Sequence, residues 1–542
     1  MFLLIVLSIK MFFIRLFGKN ICGDKMKRII FVFCSILLCF SVAVLRIAYI
    51  INSDFMTAGV DHSRKTVEIG KIRGTIFAQN GVRLTNTEYE YFVAIEPNSP
   101  AIAEVSQYLD ETDRKTLLSG FPISVKVDED FYSDSVRKLK IPKRYGKTAP
   151  HIIGYCDENG DGICGIEQSF NSYLKGETVS VSFDTNSKGE IIGDTSEIED
   201  YSENSCEGVM LTLDKSMQNI CEEVARENMQ KGAIVVLENK SGKIRAMVSY
   251  PDYDQNDVAS SLDSPDSPFY NRAIAPYNCG SVFKLCVAAA SLYYDVSLTY
   301  DCKGEAQVGD TKFGCLSAHK KVNLKKALAL SCNCYFIKLG QLIGAKNLLS
   351  FAKSMGFGNE ITLSSNIVST GAKLPDKTDL LQKGAELANF SFGQGVIMTS
   401  PLQVGSMIQC IANNGKLIKP SLVEGTTNSE GKIIQPSKRN LPTYILNKED
   451  AKTLKEYMIY TVKEGTGKPA KPQFSGAGGK TATAQTGIFD KDGNSVYQTW
   501  FGGFYPAKNP VYTIVVMCED GESGSKTAAP IFKKIADKIY GI

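Results

Sequence analysis

The 542-residue chain has one tryptophan, three histidines and a net charge of only +3. Each scarcity closes off a class of function. So small a charge over this length leaves no basic footprint for a polyanion, so no nucleic-acid partner is expected. His62, His151 and His319 lie far apart, with neither a Cys-x-x-Cys pair nor a His-Glu-x-x-His helix beside them. No zinc enzyme, no other metal centre and no cofactor is expected on that ground. Asp157-Glu158-Asn159-Gly160-Asp161-Gly162 opens like a calcium-binding loop, but its twelfth position is Gln168, and the nearest acid, Glu167, comes one place early. The bidentate ligand that such a loop needs is missing. No internal repeat is present, and no Gly-x-Ser-x-Gly elbow surrounds Ser281, the serine on which the rest of the reading turns.

Ser281 and Lys284 stand in Gly280-Ser281-Val282-Phe283-Lys284, followed by the apolar run Leu285-Cys286-Val287-Ala288-Ala289-Ala290. On a helix that spacing places a hydroxyl and an amine on one face, one turn apart. The first turn of a buried helix favours negative charge, which suits an oxyanion. The same burial disfavours a protonated lysine and makes Lys284 a candidate base. Ser-x-x-Lys alone is common and reads more readily as a helix start with a solvated lysine. Two further segments carry the argument. Ser331-Cys332-Asn333 lies 50 residues on, and Lys480-Thr481-Ala482-Thr483 lies 149 beyond that. Each alone reads as a turn, a cap or a strand start. Their order after Ser-x-x-Lys is that of the penicillin-interacting serine enzymes.

With its flanks, this set resembles the class B penicillin-binding proteins. Pro251-Asp252-Tyr253-Asp254 with Asn256, Asn271-Arg272-Ala273, Gly393-Gln394-Gly395 with Pro401-Leu402-Gln403, Glu464-Gly465-Thr466-Gly467, and Trp500-Phe501-Gly502-Gly503-Phe504 with Pro506 all resemble landmarks of that family. Upstream, Arg73-Gly74-Thr75-Ile76, Asn80-Gly81, Gly165-Ile166-Glu167 and Leu211-Thr212-Leu213-Asp214 resemble its non-catalytic domain. The resemblance covers roughly residues 70 to 530. It implies an α+β transpeptidase domain, an antiparallel sheet with helices, preceded by an elongated β-rich domain and one transmembrane helix.

It also implies roles. Ser281 is the nucleophile and Lys284 its base. Ser331 relays a proton to the leaving amine, and Asn333 holds Lys284 and the donor peptide. Lys480 and Thr481 bind the terminal carboxylate of a D-Ala-D-Ala stem. The N–H groups of Ser281 and Thr483 form the oxyanion hole. The expected activity is peptidoglycan D,D-transpeptidation, with stem peptides as substrates, β-lactams as inhibitors, and a membrane glycan polymerase of the shape, elongation, division and sporulation type as partner. The alternatives are a penicillin-binding sensor or scaffold with little turnover, and a β-lactamase-like hydrolase. For the latter, the only Glu-x-x-x-Asn between Ser331 and Lys480 is Glu424 to Asn428, in a turn-rich stretch. The chain departs from the family pattern at Ala482, where glycine is usual. Its methyl is expected to crowd the substrate path. Cys279 stands where proline is usual, and Cys332 puts a thiol beside the cleft, either packed or exposed.

Residues 29–51 are apolar except for Arg46, long enough to span a bilayer if that residue snorkels. Lys10, Arg15, Lys19, Lys25, Lys27 and Arg28 precede them, which by the positive-inside rule leaves the N-terminus cytoplasmic and the remainder outside. A signal peptide cleaved after Ser41-Val42-Ala43 is the rival. Met1–Ile9 is too short to span, and Met26-Lys27-Arg28 reads like a natural start. The expected organisation is a cytoplasmic segment (1–28), an anchor (29–51), a non-catalytic pedestal- or dimerisation-like domain (52–208) and a transpeptidase domain (209–542). Fifteen cysteines are many for an exported chain. Cys302 and Cys315, in one loop region, are a candidate disulfide, with packed free thiols as the other reading.

Strands are expected at 91–95, 178–183, 233–237, 244–248, 500–504 and 511–517, with Asn239-Lys240-Ser241-Gly242-Lys243 as a hairpin turn. Helices are expected over 282–294 and 324–344. Residues 194–207, acidic and Ser-rich, read as a surface linker. Trp500 reads as core beside Lys480.

Overall fold

The computed structural model describes residues 24–52, 64–97, 99–186, 188–198, 206–489, 491 and 493–541. Met1–Ile9, Lys10, Arg15, Lys19 and His62 lie outside them. The chain divides into two compact units, one of Met1–Ile69, Phe92–Leu139 and Val179–Glu199, the other of Gly70–Tyr91, Lys140–Thr178 and Asp200–Ile542.

The smaller unit contains the helix Asp24–Asn52 and β-strand structure. In Ile123–Val127 the odd positions are buried and Lys126 is exposed, the period-two pattern of a one-sided strand. Helix Glu111–Leu118 starts with a reciprocal cap between Asp110 and Asp113. The strand Ile191–Ile198 extends into the stretch expected to be a linker. Along Asp24–Asn52, Ile29, Phe40 and Leu45 are exposed, each by 60% or more. No helix is long and apolar enough to cross a membrane among the described residues.

The larger unit is built on a five-stranded antiparallel sheet ordered Ile244–Tyr250, Gly232–Glu238, Tyr512–Cys518, Ser495–Tyr505, Gly478–Phe489. Its middle strands are buried on both faces. Ala233, Val235, Leu237, Val515 and Met517 join one apolar core; Ile234, Val236, Ile514 and Val516 join another. That two-sided burial is why residues 233–237 read as an unbroken apolar run rather than an alternating one. The first core takes in helices Lys284–Tyr293 and Pro401–Ala412, and the second takes in Lys215–Asn228 and Ala529–Lys538. The molecule here is a three-layer α/β/α sandwich. Trp500 is fully buried, and its indole N–H donates to Asn278 O at 2.9 Å.

The expected helix over 324–344 is two helices, Leu324–Ala329 and Asn333–Ile343. Ser331 breaks them with a left-handed backbone, φ 55°. The break follows from the residue types. Cys332 caps the second helix, its sulfur accepting from the amide of Tyr335, and short polar side chains favour caps over helix interiors.

Glu167 is fully buried in the larger unit between Arg73, at 2.9 Å, and Arg144, at 2.6 Å. Two landmarks far apart in the chain thus meet as one ion cluster. Asp161 is held by Asn171 at 2.9 Å and Lys175 at 2.7 Å. The calcium-like segment is a turn tied by protein cations and amides.

Candidate active site

Three elements bring the site together. Ser281 lies in a single 3-10 turn, Gly280–Phe283, that runs into helix Lys284–Tyr293. Gly280 has φ 53°, and a Cβ there would stand 3.0 Å from the Ala484 Cβ. Glycine suits both this left-handed backbone and the close approach of the turn to the sheet. Ser331 and Asn333 come from the helix break. Lys480, Thr481 and Thr483 come from Gly478–Phe489, the strand at one end of the sheet, which among the described residues pairs with Ser495–Tyr505 alone. No described strand pairs with its other edge, where an extended peptide can add as a further strand.

Lys284 sits at the centre and is fully buried. Its Nζ lies 3.0 Å from Ser281 Oγ, 2.8 Å from Ser331 O, 3.2 Å from Ser331 Oγ and 2.6 Å from Asn333 Oδ1. A neutral amine has two N–H groups and one lone pair, so it can donate to Ser331 O and Asn333 Oδ1 and accept from the Ser281 hydroxyl. Burial moves Lys284 the same way, pulling its pKa down to about 7 against the opposing influence of Cys315, Cys332 and Cys334.

Lys480 is also fully buried. It donates to Ser331 Oγ at 3.0 Å and to Thr481 O at 2.8 Å. Burial first, and then the charge of Lys284, hold its pKa well below the usual lysine range. Thr481 Oγ1 lies 2.7 Å from Thr466 Oγ1. The exposed Thr483 accepts from the Gly524 amide at 3.1 Å. Asn333 donates to Gly314 O at 2.8 Å, which fixes its amide so that Oδ1 faces Lys284.

All seven residues singled out from the sequence lie on these three elements. Two others were missed. Thr466 supports Thr481, and its amide donates to Ala329 O at 3.0 Å beneath the Ser331 turn. Ser525 donates to Thr466 O at 2.9 Å. The landmark Glu464-Gly465-Thr466-Gly467 was the available signal for the first. A Cβ at Gly465 would stand 2.3 Å from Ala329 O, so glycine is required where the two segments cross. Ser525 has no sequence signal.

Ala482 corrects an expectation. It is 3% exposed and faces the same way as the buried Ala484. A Cβ at Gly280 would stand 3.4 Å from its methyl. The methyl therefore packs under the nucleophile turn, with almost no surface left to face a substrate. Glu424 pairs with Lys243 at 2.6 Å, and Asn428 closes a turn with Gly431, so this pair is tied up away from the Ser281, Lys284 and Ser331 contacts.

Beside the cleft is a group of donors. The ligand atoms of Cys302, Cys315, His319 and Cys332 all lie within 4.8 Å of one another. Cys302 and Cys315 are free thiols with sulfurs 3.8 Å apart, which matches the free-thiol reading rather than the candidate disulfide. Cys332 is packed, with no exposure.

The family model for the penicillin binding protein transpeptidase domain matches residues 232–537. Among curated proteins, the stage V sporulation protein D of Bacillus subtilis is 27% identical, over 94% of this chain and 84% of that protein. The peptidoglycan D,D-transpeptidase MrdA of Acinetobacter baumannii is 26% identical, over 94% of this chain and 87% of that protein. Among solved structures, one described as the structural coordination of polymerization and crosslinking by a peptidoglycan synthase complex is 22% identical, with TM-score 0.70, covering 95% of this chain and 99% of that one. The ordered Ser281, Ser331 and Lys480 segments, the sheet that carries them and these matches agree: the chain belongs to the penicillin-binding protein transpeptidase family.

Proposed function

We propose that this protein is a membrane-anchored class B peptidoglycan D,D-transpeptidase that cross-links stem peptides through an acyl-enzyme on Ser281. The observation that carries the reading is the buried Lys284 amine 3.0 Å from Ser281 Oγ. The neutral amine takes the hydroxyl proton as Oγ attacks the carbonyl carbon between the two terminal D-alanines. The oxyanion forms against the N–H groups of Ser281 and Thr483. As the C–N bond breaks, the proton passes from Lys284 through the Ser331 hydroxyl to the departing amine. D-Alanine leaves, and its carboxylate is released from Lys480 and Thr481. The acceptor amine then attacks the ester, Lys284 takes its proton, and Ser281 Oγ leaves with a proton from the same relay. Ser331 suits the relay because both lysines reach its hydroxyl. Asn333 suits a positioning role because Oδ1 lies 2.6 Å from Lys284.

The anchor reading rests on the apolar residues 29–51, the basic residues before them, and the exposed side chains of Ile29, Phe40 and Leu45. It puts the transpeptidase domain (209–542) and the region before it (52–208) outside the cell. A glycan polymerase of the shape, elongation, division and sporulation type is the proposed partner. Likeness to a structure described for polymerization and crosslinking supports it. Protease added to intact protoplasts should remove the domain; a soluble product starting after Ala43 would refute the anchor.

The activity is tested by incubating purified protein with a D-Ala-D-Ala stem pentapeptide and an acceptor amine. Release of D-alanine with a cross-linked product is expected. Penicillin binding without D-alanine release would leave a sensor, and rapid penicillin turnover a β-lactamase.

A further inference from the structure

We propose that Thr466 is a positioning residue for carboxylate recognition: its hydroxyl donates to that of Thr481, so that the Thr481 proton points at the terminal carboxylate of the donor peptide or the β-lactam. The identity of that carboxylate rests on the transpeptidase reading; the pairing of the two threonines does not.

The two hydroxyl oxygens are 2.7 Å apart, the length of a well-formed O–H···O bond. Each hydroxyl has one proton, so one of them donates in this bond and only the other keeps a proton to give elsewhere. A Thr481 that donated to Thr466 would turn lone pairs toward an arriving carboxylate, which itself only accepts. When Thr466 donates, the Thr481 proton is free for the carboxylate. A hydroxyl that already accepts a bond is also the stronger donor. The carboxylate therefore selects the second arrangement. Thr481 is 6% exposed, so without Thr466 its oxygen has little water to turn to.

The backbone holds Thr466 in place for this task. Its amide donates to Ala329 O at 3.0 Å, and its carbonyl accepts from Ser525 Oγ at 2.9 Å. On either side, the amides of Gly465 and Gly467 donate to Thr461 O, in the last turn of helix Lys448–Glu464. Two of these anchors lead back to the site. Ala329 ends the helix Leu324–Ala329, two residues before Ser331. Ser525 lies in the single turn Gly524–Ala528, whose Gly524 amide donates to Thr483 Oγ1. The Thr466 hydroxyl is thus held in register with the Ser331 turn on one side and with the strand Gly478–Phe489 on the other.

A purely structural role and a positioning role differ in what they slow. Loosening the fold would slow every acylation alike. Misdirecting the Thr481 proton affects only ligands that carry the carboxylate. Because that carboxylate is held in both the ground state and the transition state, the loss falls on KM and not on kcat.

The full-length protein is measured in two assays. One is release of the terminal residue from a D-Ala-D-Ala stem pentapeptide and from its C-terminal amide. The other is the second-order acylation constant with benzylpenicillin and with its methyl ester. Thr466→Val keeps the shape and removes the hydroxyl. It should raise KM for the pentapeptide about tenfold with kcat within about twofold, and lower the benzylpenicillin constant about tenfold. The amide and the ester should change by less than about twofold. Thr466→Ser should restore the wild-type values within about twofold. In a Thr481→Val background, Thr466→Val should add less than about twofold, because its route to the ligand is already gone. Ser525→Ala frees one anchor and leaves both hydroxyls; it should show the same selectivity at about threefold. Circular dichroism checks the fold of each variant. Equal losses with and without the carboxylate, in Thr466→Val or in Ser525→Ala, would overturn the proposal. So would a further tenfold loss in the Thr481→Val background, or no loss in natively folded Thr466→Val protein. Failure of the transpeptidase reading looks different: wild-type protein would release no D-alanine, while the two penicillins still decide the role of Thr466.

Discussion

Lys284 and Lys480 converge on one oxygen: their Nζ atoms lie 3.2 and 3.0 Å from the hydroxyl of Ser331. Both amines are fully buried, and two like charges bridged by one hydroxyl in a dry site repel. The pair is stable with at most one proton too many, which keeps a neutral base beside Ser281.

The pH dependence of acylation follows. Lys284 must be unprotonated to accept the Ser281 proton, and burial lowers its pKa to about 7. The acylation rate constant should therefore rise through pH 7, fall about tenfold per unit well below it, and level off above it. Stopped-flow penicillin acylation between pH 5 and pH 9 measures this. A profile that rises only near pH 10 would mean an ordinary, solvated lysine.

Asn333→Ala removes the shortest contact to Lys284, 2.6 Å. Loss of a buried hydrogen bond of this kind costs about 1–3 kcal/mol, or roughly 5- to 150-fold in rate. The loss should appear in the acylation rate constant, with the fold unchanged by circular dichroism.

Glu167→Gln tests the ion cluster. Glu167 has no exposure and faces Arg73 and Arg144. Burial alone would raise its pKa, but Arg144 and Arg73 outweigh it and hold the carboxyl below the usual range. Removing this charge leaves two guanidiniums with no partner carboxylate, at a cost of about 3–5 kcal/mol. Urea unfolding should show a lower midpoint with penicillin reactivity retained in the folded fraction.

Ala482→Gly should leave acylation by small and by bulky β-lactams equally unchanged, because the methyl packs under Gly280. It should cost about 1 kcal/mol of stability through lost burial and a more flexible strand. Faster acylation by bulky compounds alone would mean that the methyl does face the substrate.

Where the sequence was legible, the signal was local. Residues 233–237 and 244–248 carry strand composition and a turn between them, and they form the hairpin expected. Ser281 and Lys284 are one turn apart, so their meeting needs no knowledge of the rest of the chain. What was illegible depended on register or on distant segments. The face of Ala482 is set by the alternation of Gly478–Phe489 against helix Lys284–Tyr293. The helix over 324–344 was overextended because the apolar spacing continues across Ser331, while the cap at Cys332 that interrupts it is a weak signal. The group of Cys302, Cys315, His319 and Cys332 escaped because no two donors stand in a familiar metal spacing; the hairpin of Glu305–Val308 with Thr311–Gly314 and the helix break bring them together. Glu167 was noticed as a landmark on the helix Gly165–Ser169, but its partners Arg73 and Arg144 lie on two separate strands.

The most direct test of the account is mass spectrometry of the protein after reaction with a labelled penicillin. The account predicts one covalent adduct, on the peptide containing Ser281, absent from Ser281→Ala protein of unchanged circular dichroism. An adduct on another residue, or none on folded protein, would contradict it.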